Sequence, residues 1–182
     1  MTMMVTLRDP DTGAIRTVPS DETAGYDSWE IVCEHDGPPP EGAVIQDGTW
    51  VVPLTVLQDR AWETVKGIRE EKLRVAPTSF GVAQTDLESM AKINGLVSMA
   101  MLATQSGAPF AETFTMADNS EVDMDAGQMI QFGLAVGTHI AAVHAKARDL
   151  RRAIYEATRE ELPTIDLVDG WPSTDPIETP TP

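Results

Sequence analysis

Three histidines, a single cysteine and a run of carboxylates are the side chains of this chain best suited to chemistry. His139 and His144 are five residues apart. On a helix, at about 100° per residue, they point roughly 140° away from each other, so they cannot grip one metal ion as an i, i+4 pair would. His35 has no cysteine at ligand spacing. Asp118, Glu121, Asp123 and Asp125 offer the hard oxygens that calcium prefers, but without the spacing and glycine of an EF-hand loop. Glu121 and Asp123 also alternate with Val122 and Met124, which assigns the two acids to the solvated face of a strand. Cys33 sits among acids, with no basic neighbour in sequence to activate it. A G-x-S-x-G elbow, a P-loop and a G-x-G-x-x-G turn are all missing from the sequence. Trp29, Trp50, Trp62 and Trp171 have packing as their default role; a carbohydrate platform would need two rings exposed side by side. The expectation is no enzyme, no metal and no cofactor.

Composition narrows the partners. The net charge is −16, from 29 acids and 13 bases, which argues against a basic nucleic-acid face and against an anionic membrane surface. No apolar run approaches 18 residues, so no membrane span is expected. One cysteine rules out an intrachain disulfide and fits a reducing compartment, and Met1 to Thr12 lacks the pattern of a signal peptide. The acids gather in residues 1–53, 105–128 and 163–182, whereas 54–104 and 129–162 are nearly balanced.

The elements that must position these residues follow from periodicity. In residues 1–53, Val5 and Leu7 lead through the Asp9–Gly13 turn cluster to Ala14–Val18, which predicts a hairpin. Residues 28–33 form a strand candidate, and Gln46-Asp47-Gly48 turns between two further short ones. Leu54, Leu57, Ala61, Val65 and Ile68 predict a helix to about Leu73, stopped by Pro77. Residues 79–83 form a short strand candidate. Asp86 caps a helix over 87–104 that ends at Gly107 and Pro109. Phe114, Met116, Val122 and Met124 on one face predict a hairpin pairing 114 with 124 and 116 with 122. Its loop is then Asp118-Asn119-Ser120, with Asn119 left-handed. Asp125 caps the last helix, which Pro163 closes.

That last helix carries the longest pattern in the chain. Met129, Gly133, Val136, Ile140, Val143, Ala147, Leu150, Ile154 and Ala157 alternate steps of four and three, a heptad seam about 45 Å long. Val136, Ile140, Val143, Ala147, Leu150 and Ile154 are the candidate packing or assembly residues, within one chain or between copies. The expected fold is α+β. It has a small β module or docking arm (1–53), an antiparallel bundle of three long helices with a β-hairpin or small sheet at one end (54–172), and a Pro-rich acidic tail (173–182).

Five stretches then carry a resemblance: Arg69-Glu70-Glu71-Lys72-Leu73, Asp86 through Gly95, Phe114 through Ser120, His139 through Ile154, and Gly170-Trp171-Pro172. In that order, over about residues 58–172, they resemble a domain family of unknown biochemical function found in tail-region proteins of bacteriophages and prophages. Gly37-Pro38-Pro39-Pro40-Glu41-Gly42-Ala43-Val44, with Trp50 beyond, is similar to a stretch of tail-fibre and tail-fibre-assembly proteins. The resemblance implies a structural virion protein at a tail tip, baseplate or fibre attachment, made in the host cytoplasm. Its partners would be other phage tail proteins and copies of itself, with a trimer favoured. The alternatives are an intracellular tail-fibre assembly chaperone and a host-surface carbohydrate-binding module. The family brings no catalytic residues.

Overall fold

The computed structural model describes residues 3–24, 26 and 30–177, with the backbone alone for 34–36. Trp29, the His35 side chain, the start of the predicted 28–33 strand and the end of the acidic tail lie outside the described residues. The fold is mixed, with three α-helices and several small antiparallel sheets among the described residues. It divides into two units, Met1–Arg60 and Ala61–Pro182, with the boundary inside the first helix.

In the first unit, β1 (Met3–Arg8) pairs antiparallel with β2 (Ile15–Pro19) and with β3 (Glu30–Asp36), in the order β2-β1-β3. The Asp9 carboxylate accepts the backbone N–H groups of Asp11 and Thr12, which folds the predicted turn, and its pKa is lowered by those bonds. Val5, Leu7 and Cys33 are buried, and the Thr6 and Thr17 hydroxyls bond to each other at 2.9 Å. A separate hairpin joins β4 (Val44–Gln46) to β5 (Thr49–Val51) through Asp47 and Gly48, both at positive φ.

The helix α1 (Leu54–Lys72) starts in the first unit and ends in the second. Beyond it, β6 (Val75–Thr78) and β7 (Gly81–Gln84) form a hairpin. The sequence reading ended the helix at Pro77 but missed that Pro77 lies in a strand, opposite Val82. Thr78 and Gly81 close the turn, so the neighbouring Pro77–Val82 pair is a non-hydrogen-bonded one and needs no N–H from proline.

The helix α2 (Leu87–Ser106) is capped by Asp86, whose carboxylate accepts the N–H groups of Glu88 and Ser89. It ends on Gly107, left-handed at φ 67°, a conformation that residues with a Cβ rarely adopt. The hairpin β8 (Ala111–Thr115) to β9 (Glu121–Asp125) follows. Its register differs from the expected one: Phe114 pairs with Val122 and Glu112 with Met124. The Asp118 carboxylate takes the Ser120 N–H and hydroxyl, and Met116 N–H donates to the Ser120 carbonyl. The three-residue loop is therefore 117–119, with Asn119 left-handed at φ 64°. A shift of two in the sum of paired positions keeps every side chain on its face, so Phe114, Met116 and Met124 remain buried.

The helix α3 (Ala126–Glu156) opens on a full capping box, in which the Asp125 carboxylate accepts Gln128 N–H and the Gln128 side chain accepts Asp125 N–H. Among the described residues each buried cluster draws on two of the three helices, so the structure shows a helical spine with two cores and does not confirm the expected single bundle. Along its first half, Met129, Phe132 and Val136 pack with Ile93 and Ala100 of α2, Ala76 and Ala83 of β6–β7, and Phe114, Met116 and Met124. Along its second half, Ala147, Leu150 and Ile154 pack with Val65 of α1, beside Trp62 and the returning Leu162, Ile165, Leu167 and Trp171.

The α2–α3 approach depends on Gly133. A Cβ there would sit 2.4 Å from Val97 Cγ2, and Val97 has little rotamer freedom in a helix. Gly137, one turn on, has open space. Gly133→Ala is expected to lose about 1–2 kcal/mol despite its gain in helix propensity, whereas Gly137→Ala gains about 0.5–1 kcal/mol. Urea unfolding of both variants checks the contrast.

Candidate functional surface on the long helix

The seam residues are now placed. Val136, Val143, Ala147, Leu150 and Ile154 are buried within the single chain, and Ile140 is half-buried against the first core. Phe132 and His139, one residue before Gly133 and Ile140, take the deeper positions midway along the seam. On the helix Phe132 and Gly133 flank the line through Val136 on opposite sides, as His139 and Ile140 do, so either member of each pair fits the period.

His139 is 8% exposed, and its Nε2 lies 3.0 Å from the Lys72 carbonyl at the end of α1. It joins the C-terminus of one helix to the middle of another. His144 is exposed, on a different side of α3. Among the described residues, no three His, Cys, Asp or Glu side chains come together to hold a metal ion. The acidic stretch divides its carboxylates among separate tasks. Asp118 shapes the loop, Asp123 accepts the Thr113 hydroxyl at 2.6 Å, and Asp125 caps α3. The hydrogen bonds from Ser120, side chain first and backbone second, lower the Asp118 pKa. Asp86 is lowered in the same way by Ser89.

The chargeable groups that do converge are basic, and the sequence reading missed them as a group. Arg148, Arg151 and Arg152 line an open groove with Tyr155 and Glu156 on the second half of α3. The Arg151 guanidinium stands 5.3 Å from the Trp62 ring centre and 6.0 Å from that of Tyr155. Arg69 approaches Trp62 at 6.0 Å. Trp62 is thus half-buried between a core and two guanidinium groups. The i, i+3, i+4 spacing of the arginines is the signal that marks this face. A surface of planar donors on aromatic rings can take carboxylates of an acidic protein segment. Trp171 lies in the same core and donates its indole N–H to the Leu167 carbonyl at 3.0 Å. Both rings therefore serve packing, and Trp50 is half-buried in β5 of the other unit.

The model of a domain of unknown function, DUF4376, matches residues 56–169. The chain belongs to the DUF4376 family. No curated protein and no solved structure matches it. The DUF4376 span begins in α1 and ends in the returning C-terminal segment, so it contains both cores of the α3 spine. The resemblance over about residues 58–172 covers the same stretch. No helix among the described residues is long and apolar enough to cross a membrane.

Stacking on two rings sets Arg151 apart from its neighbours. Arg151→Ala is expected to lower stability by about 1 kcal/mol, and Arg148→Ala, at an exposed position in the same groove, to leave it nearly unchanged. Paired urea denaturation curves measure the difference.

Proposed function

We propose that this protein is a structural component of the tail of a tailed bacteriophage, at the tail tip, baseplate or tail-fibre attachment. It acts through protein contacts, as a homo-oligomer with a trimer favoured, and without catalysis. The tail context is supported by the five ordered stretches resembling phage tail-region proteins. The observation that carries the structural role is the surface of α3. Its inner stripe is consumed by two cores, while its outer side offers an arginine–aromatic groove at one end and exposed apolar side chains at the other. Grooves of arginine and aromatic rings are characteristic of protein interfaces.

A second reading, the tail-fibre assembly chaperone, has the Gly37–Val44 similarity in its favour. It differs in where the protein ends up. Quantitative mass spectrometry of purified particles against infected-cell lysate separates the two. The structural reading predicts a fixed copy number in the particle, in a multiple of three. Abundance in the lysate with none in the particle overturns it in favour of the chaperone.

A further inference from the structure

Residues 93–145 contain no lysine or arginine; beyond them α3 carries Lys146, Arg148, Arg151 and Arg152. Acids and bases are thus gathered at opposite ends of one helix. At its C-terminal end lies the groove of Arg148, Arg151, Arg152 and Tyr155, with Glu156 as the acid among its lining residues. Asp149 reaches Arg152 at 3.8 Å, but the two side chains are 70% and 67% exposed, so water competes for that pair. At the N-terminal end stands the β8–β9 hairpin. It pairs Ala111 with Asp125, Thr113 with Asp123 and Thr115 with Glu121, and all six residues are exposed. Alternation puts them on one face, opposite the buried Phe114 and Met124. That face shows three carboxylates in a row beside threonines and an alanine. Lys92 meets the hairpin at the inward-facing Phe114 ring, 5.0 Å from its centre. Asp123 and Asp125 accept from Thr113 and Gln128 and keep further acceptor sites, since a carboxylate has about four.

We propose that the acidic face of the β8–β9 hairpin of one copy docks into the arginine groove of the next. The occupant follows from charge complementarity and spacing. Alternate strand residues stand about 7 Å apart, and Arg148 and Arg152 about 6 Å apart along α3, so successive carboxylates can each meet a guanidinium fork. Of the acidic stretches, 105–128 holds five acids and no base, whereas 1–53 includes Arg8 and Arg16. In the third, Asp166 already accepts the Val168 and Asp169 N–H groups. The hairpin cannot reach the groove of its own chain. Asp125 and Arg148 are held about 35 Å apart by the unbroken helix between them. The contact is therefore between copies and head-to-tail, a kind that closes into a ring or runs into a filament. The −16 of each copy opposes it only at short range, because at about 0.15 M salt charges beyond roughly 8 Å are screened. The inference rests on the self-association in the proposed function and names its contact; it does not depend on the tail context.

Sedimentation velocity of the full chain over a concentration series, at about 0.15 M salt, tests it by charge reversal. The groove variant carries Arg148→Glu with Arg152→Glu, and the hairpin variant Glu121→Lys with Asp123→Lys. All four side chains are exposed, so both variants keep the wild-type thermal melt. Each weakens self-association at least tenfold, because like charges then face each other. All four substitutions in one chain restore it, since groove and hairpin are again opposite in sign. If a reversal lowers the melt, Arg148→Gln with Arg152→Gln replaces it and must still weaken association. A groove reversal without effect overturns the proposal. So does a hairpin reversal without effect, which gives the groove another occupant, or a fourfold variant as weak as the two pairs. A wild type that stays monomeric overturns both this contact and the homo-oligomer reading. Association that survives both reversals overturns this contact alone. Absence from particles, with the charge swap working, sinks only the tail context.

Discussion

Covering the apolar stripe of α3 is the constraint on which the DUF4376 domain depends. A helix of this length has one side that water must not reach from Met129 to Ile154, a stretch of about 40 Å. No single element behind it is long enough to cover the whole stripe. The chain solves this with two sets of partners. Helix α2 and the β6–β7 and β8–β9 hairpins close the first half, and α1 with the returning C-terminal segment closes the second. His139 sits between the two cores and satisfies its Nε2 on the last turn of α1. The family span, 56–169, contains the segments that supply this cover, which gives the domain boundaries a physical meaning.

The division into two cores also divides the chemistry. Where α2 meets α3 the helices come as close as Gly133 allows, and the aromatic rings of Phe114 and Phe132 lie 4.9 Å apart between centres. That half carries no charge on either helix outside the first turns of α2. Where α1 meets α3, arginines and a tryptophan surround the apolar contact. One helix thus carries two surfaces of different character, one without charge and one lined by arginines. The net charge of the whole chain describes neither.

Much of this was legible in the sequence because it is local. Asp86 and Asp125 cap the helices they precede, Asn119 adopts the left-handed conformation, and the helix spans follow their apolar steps. What was not legible depends on a competitor that periodicity does not rank. The β8–β9 register turned on the Asp118–Ser120 bonds, which draw Ser120 out of the loop and into the closing pair. Pro77 reads equally as a helix stop and as a strand residue; only the pairing to Val82 decides. The heptad gave the stripe, but Phe132 and His139 flank it opposite Gly133 and Ile140, and periodicity alone does not say which flank is buried deeper. The arginine groove needs the fold, because Trp62 is far from Arg151 in sequence.

The central claim is that the heptad stripe is the chain's own core. An Ile154→Asp variant tests it most directly, read by circular dichroism and sedimentation together. Ile154 is fully buried, so an unpaired carboxylate there should cost more than about 4 kcal/mol and unfold the α1–α3 core, with loss of helical signal. A variant that keeps the wild-type spectrum and melting temperature but falls apart into monomers would contradict the account and make the stripe an interface between copies.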